Sequence, residues 1–198
     1  YDQYNQPYFA QPQPQRKVEF AMWLRDAAAE AGEAERALAA AQIAFREDIS
    51  LAHYQRVHEL AGDAWPAIRE DLLAATRQPR GYALAGQIDV LLYEGQIDDA
   101  IAALGQGHVP HELLARVADA ALPTRPAWVR DAARQKAEAL MDDGKSKYYA
   151  DAAHWLERAR AAYRALGEDA AWRVYHAEIL ARYKRKYTLR PLIEKLGK

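Results

Sequence analysis

His108 and His111, followed at once by Glu112, bring imidazole nitrogens and a carboxylate together in one short stretch, the donor set of a zinc or iron site. Ligands must converge on one point, and Pro110 works against that. A proline suits the first turn of a helix, so His111 and Glu112 fall inside that turn while His108 stays outside it. The His-Glu-x-x-His spacing of a helical zinc site is absent, because Ala115 and Arg116 occupy the turn where a second histidine is needed. Glu112 is then explained by the helix dipole, which favours negative charge at an N-terminus. His53 and His58 straddle a helical face imperfectly and read as solvated, and His154 beside Trp155 and His176 beside Tyr175 have no evident partner.

Two acidic pairs, Asp98-Asp99 and Asp142-Asp143, are the residue types of general acid and base catalysis. Both stand at helix boundaries. The first pair opens a helix, where it offsets the dipole, and the second precedes Gly144 and reads as a solvated helix end. No nucleophile elbow, glycine-rich phosphate loop or Ser-His-Asp order is present, so the chain reads as a non-enzyme without metal or other cofactor. The strongest local charge signal is Arg182-Tyr183-Lys184-Arg185-Lys186-Tyr187 with Arg190. Cations interleaved with aromatic rings grip phosphates and stack on bases. The same run also suits a helix C-terminus complementing its own dipole, with Tyr183 and Tyr187 packed inward.

Composition bounds these options. The 198 residues include no cysteine, which removes disulfides, thiolate catalysis and every cysteine-based zinc site. The net charge of −1 creates no global field toward nucleic acid or anionic lipid. No apolar run reaches the roughly 20 residues that cross a bilayer, and the start of the chain lacks the basic and apolar regions of a secretory signal. The expected location is cytoplasmic with no membrane partner. A first residue of Tyr rather than Met suggests a piece of a longer polypeptide.

The elements that would position these residues are helices. Residues 1–15 are rich in Gln, Pro and Tyr and read as a flexible arm or linker. Residues 16–198 read as one helical domain. Apolar residues recur three and four apart in Phe20, Trp23, Leu24, Ala27 and Ala31, then in Ala34, Leu38, Ala41 and Phe45. Ser50 N-caps a third stripe of Leu51, Tyr54, Val57 and Ala61, and Trp65, Ile68, Leu72 and Ala75 form a fourth. An irregular stretch, Thr76–Gly81, follows. Tyr93-Glu94-Gly95-Gln96-Ile97 reads as one helix stopping at a glycine and its antiparallel partner starting at once. Further helices carry Leu113 to Ala121, Val129 to Leu140 (capped by Leu122-Pro123-Thr124), Tyr148 to Leu166, and Trp172 to Tyr183. Breaks at Gly32, Gly62 and Gly95 approximate the ~34-residue period of tetratricopeptide repeats. The expected fold is all-α, a tetratricopeptide-like right-handed stack of antiparallel helical hairpins, an α-α superhelix of about ten helices.

Beyond periodicity, the segment from Lys147 to Arg160, with Trp172, the run Tyr183 to Tyr187 and Leu189-Arg190-Pro191-Leu192, resembles the C-terminal helical region of bacterial SWIM zinc-finger proteins. Ser50 to Tyr54 and Ala61 to Trp65 are similar to the same region. The resemblance spans most of residues 20–196. It implies a helical-repeat scaffold joined to a small zinc module that binds DNA or protein. The Cys-x-Cys and Cys-x-His ligands of that module have no match here, so a finger would lie upstream of Tyr1. The expected function is a non-catalytic scaffold that binds a protein partner in its groove through Tyr148, Tyr149, Trp155, Arg182, Lys184, Arg185, Lys186 and Arg190. The alternative is an accessory nucleic-acid-binding domain that uses the basic run.

Overall fold

The computed structural model describes residues 14–78, 83–105 and 109–197. Among them every element is helical: α1 (Pro14–Glu30), α2 (Ala34–Glu47), α3 (Leu51–Ala61), α4 (Trp65–Arg77), α5 (Leu84–Tyr93), α6 (Ile97–Leu104), α7 (His111–Ala121), α8 (Pro126–Asp143), α9 (Tyr149–Ala165), α10 (Asp169–Arg182) and α11 (Arg190–Glu194). Short 3-10 turns lie at Gly62–Ala64, Ser146–Tyr148 and Lys195–Gly197. The all-α fold anticipated from the apolar spacing is therefore what forms. No helix among the described residues is long and apolar enough to cross a membrane.

Some boundaries differ from expectation. Pro14 and Gln15, assigned to the arm, begin α1, because the fixed φ of proline suits a first helical position. The rest of the arm lies outside the described residues, as do 79–81 of the irregular stretch and His108. Thr76 and Arg77 remain helical. Arg125, not Thr124, stands at the N-cap of α8, with no side-chain cap and with Pro126 beginning the helix. Ser50 does cap α3, its hydroxyl accepting from the His53 N–H at 3.4 Å.

The hairpin turns share one mechanism. At Gly32, Gly95 and Gly167 the chain takes φ of 75°, 67° and 72°, a left-handed conformation that side chains disfavour. In each case the residue after the glycine donates back to a carbonyl five positions earlier: Glu33 to Ala28, Gln96 to Leu91 and Glu168 to Tyr163, all at 2.8 Å. Each glycine in turn bonds three positions back, to Ala29, Leu92 and Arg164. This satisfies the carbonyls left open at a helix end and reverses the chain within two residues. Lys17 pairs with Glu47 at 3.6 Å, placing the far ends of α1 and α2 side by side as an antiparallel hairpin about Gly32 requires.

Contacts cluster into two compact units, divided between His108 and Val109. Each is layered in chain order. In the first unit α1 meets α2, α2 meets α3, α3 meets α4 and α5, α4 meets α5, and α5 meets α6. In the second, α7 meets α8, α8 meets α9, α9 meets α10 and α11, and α10 meets α11.

The core of the first unit centres on Tyr54, which is fully buried. Its ring lies 5.7 Å from Phe45, 5.3 Å from Trp65 and 6.2 Å from Tyr93. Its hydroxyl donates to Glu94 at 2.8 Å, and Arg69 holds the other oxygen of that carboxylate at 2.6 Å. Gln87, also buried, donates to the Thr76 carbonyl at 2.8 Å and so ties α5 to the end of α4. Gly86 permits a closer approach: a Cβ there would stand 1.7 Å from the backbone oxygen of Ile49.

In a solvated helix Gly86→Ala would stabilise by about 1 kcal/mol through lower chain entropy. Here the overlap is with backbone, which cannot rotate away, so α5 must shift off the α2–α3 connection. Overpacking costs typically run to about 3 kcal/mol, and the substitution is expected to destabilise by about 2 kcal/mol net. Urea denaturation measures this, and a Gly86→Ala protein as stable as the parent would contradict the close approach.

Candidate functional site

Along α8, the residues at every fourth position from Arg130 to Asp142 form a polar ladder against α9 and α10. Arg130 donates to Glu168 at 2.9 Å and lies over the Tyr163 ring. Arg134 donates to the Tyr163 hydroxyl at 3.0 Å and stacks 4.1 Å above the Tyr175 ring centre. Glu138 accepts from the Tyr175 hydroxyl at 3.0 Å and from Arg182 at 3.3 Å. Asp142 accepts from the Tyr183 hydroxyl at 2.7 Å and from Arg182 at 2.9 Å. Lys186 closes the ladder, donating to the Met141 carbonyl between the Tyr149 and Tyr183 rings.

The ladder absorbs much of the basic run. Arg182 and Lys186 are engaged within the fold, and Arg190 pairs with Glu194 at 2.7 Å. Lys184 and Arg185 are exposed and make no side-chain bond with the described residues, and the neighbouring Tyr187 is 83% exposed. Tyr183 packs inward as the dipole reading expects, whereas Tyr187 does not. Asp142 is exposed, as the solvated helix end expects, and is also a ladder partner, because the turn after α10 returns to the end of α8. Of the aromatic site residues, Trp155 is fully buried and Tyr149 nearly so, so neither offers its ring to a partner. Tyr148 is half-buried, with Lys147 4.8 Å from its ring centre.

Trp155 nevertheless marks a surface feature. Its indole N–H donates to Nε2 of His111 at 2.6 Å, joining α9 to the start of α7. The indole nitrogen can only donate, so His111 accepts there and carries its ring proton on Nδ1. Farther along, Arg158 donates through Nε and Nη2 to the two oxygens of Asp119 at 2.7 and 2.8 Å. That pairing holds the guanidinium above its ordinary pKa. The two links advance along both helices together, so α7 and α9 run parallel. Beside them an open groove of about 530 Å³ is lined by Ala115, Leu122 and Ala161, and by His111, Asp119, Asp151, His154, Glu157 and Arg158.

These lining positions recur three and four apart on each helix, a signal present in the sequence. What the sequence lacks is the knowledge that α7 and α9 are neighbours. The same gap explains the histidines. His53 is largely covered and lies 3.4 Å from Asp48, so it is not solvated as expected. His58 stacks on Trp65 at 4.2 Å, a contact its spacing from His53 does not reveal. His154 meets Glu157 at 3.1 Å, and His176 binds the Ile193 carbonyl at 2.8 Å. Asp99 pairs with Arg77 at 2.7 Å. Among the described residues no group of three or more His, Asp or Glu is placed to hold a metal ion.

The chain matches no protein-family model, no curated protein sequence and no solved structure.

Burial raises the pKa of Tyr54, Tyr175 and Tyr183 well above the ordinary 10, and hydrogen bonds to Glu94, Glu138 and Asp142 add to it. A phenol is neutral when protonated, so above pH 10 the folded protein keeps protons that the unfolded chain releases. Stability contributed by these groups is complete below pH 10 and declines as pH rises beyond it. The thermal midpoint is expected to fall above that pH and to fall less steeply in a Tyr54→Phe/Tyr175→Phe/Tyr183→Phe protein. Equal slopes for the two proteins would refute the assignment.

Proposed function

We propose that this chain is a non-catalytic interaction scaffold that holds a protein segment in the groove between α7 and α9. The observation that carries the reading is that the groove is open yet has fixed walls. Trp155 is fully buried and anchored to His111, and Arg158 spans to Asp119. A receptor already in its binding shape spends little free energy on ordering when a partner arrives. A volume of about 530 Å³ suits a few side chains of a peptide rather than a whole domain. The polar lining supports binding over catalysis, since His111, His154, Asp119, Glu157 and Arg158 are engaged with one another or with Trp155.

The nucleic-acid reading rests on a thinner base, because of its five cations only Lys184 and Arg185 are without a protein partner among the described residues. The SWIM-type attachment is proposed on the ordered aromatics and the Arg185-Lys186-Tyr187 end of the basic run. Paired Cys-x-Cys and Cys-x-His ligands encoded upstream of Tyr1 would support it, and an upstream sequence without them would end it.

The groove itself is tested by selecting a random displayed peptide library on the chain and on Ala115→Trp, with Ala161→Trp as a second obstruction. Both substitutions fill the groove from half-buried positions, and circular dichroism checks that each variant folds. Families of peptides retained by the parent and lost at least about tenfold on obstruction are expected. Peptides that bind parent and obstructed proteins alike would place the interaction elsewhere.

A further inference from the structure

We infer that the occupant of the α7/α9 groove is a basic peptide segment, one whose lysine or arginine side chains lie along the groove. This rests on the scaffold reading above and adds the chemistry of the partner. Three carboxylates line the groove, Asp119, Asp151 and Glu157, against one guanidinium, Arg158. Arg158 is bound through two nitrogens to both oxygens of Asp119, so its charge is already matched. That leaves two carboxylates. Glu157 meets His154 and stands near the already matched Arg158, and Asp151 makes no hydrogen bond or ion pair with any described residue.

The dipole of α9 accounts for an acid in its first turn, and Asp151 stands there. It does not account for Glu157, two turns on along the same groove wall, nor for a groove that carries excess negative charge on a chain whose net charge is −1. The apolar part of the lining, Ala115, Leu122 and Ala161, completes the match. A lysine or arginine has a hydrocarbon stem that covers such small side chains while its head reaches the carboxylates at the edge. An acidic segment would set like charges against one another and be rejected.

The test uses the full chain and three short labelled peptides of alternating alanine and leucine with lysine, glutamine or glutamate at the remaining positions. Fluorescence anisotropy at low salt is expected to show the lysine peptide binding at least about tenfold more tightly than the glutamate peptide, with the difference shrinking as salt rises. Asp151→Asn/Glu157→Gln is expected to weaken the lysine peptide about tenfold, while Glu19→Gln/Glu178→Gln, the same change of charge elsewhere, leaves it unchanged. Equal binding of all three peptides, lost on Ala115→Trp, would overturn the charge assignment and leave the groove standing. Lysine-peptide binding that survives Ala115→Trp and Ala161→Trp would overturn both. No binding of any peptide to the parent would overturn the charge assignment, the groove then being judged by the library selection. Sedimentation that shows self-association abolished by Ala115→Trp would give the groove to a second copy, through Lys184 and Arg185, and overturn the proposal as well.

Discussion

The second unit depends on buried tyrosine hydroxyls and guanidinium groups sharing the carboxylates of α8. A buried phenol needs an acceptor for its hydroxyl, and a carboxylate at the surface can supply one while keeping its own contact with water, as Asp142 does at 51% exposure. Glu138 and Asp142 each accept from one phenol and one arginine, and Arg182 serves both. Arg134 is held in the same way between a hydroxyl and a ring face. The first unit repeats the solution with Tyr54, Glu94 and Arg69. Because the ladder joins α8 to both helices that follow, the position of α9 is fixed from one side, and its other side is free to form a groove wall.

That division of labour along α9 is what makes the groove rigid. Trp155 and Leu156 are buried in the core, while His154 beside them and Asp151 and Arg158, about a turn to either side, line the opening. Each wall therefore stands on packed side chains rather than on a loop. The link from Trp155 to His111 makes the start of α7 part of the same rigid body as α9. Of the histidines and acids singled out in the sequence, His111, His176 and Asp142 are bonded into this unit.

Legibility followed the range of the interaction. Local signals were enough for these helices: apolar spacing placed α2, α5 and α6, and the glycines at 32 and 95 marked their turns, because a left-handed residue and a short reversal are both set within a few positions. Ser50 capped α3 where its side-chain chemistry requires. The ladder was not legible, since Arg182 and Asp142 are forty positions apart and nothing local pairs them. The basic run read as a surface patch for that reason, although Arg182 and Lys186 are bonded back to α8. Gly86 also escaped notice, because a glycine inside a helix signals a weak position until the Ile49 backbone is placed against it.

Layering in chain order has a consequence for how the protein reaches its folded state. Among the described residues the helices that pack most closely in each unit stand one or two places apart, so most contacts close short loops, and the entropy lost in forming the first ones is small. Assembly can therefore begin at any hairpin and spread outward, and damage to one hairpin is felt mainly by its immediate neighbours. Such a chain can lengthen or shorten by whole hairpins over evolutionary time while the remaining grooves keep their shape.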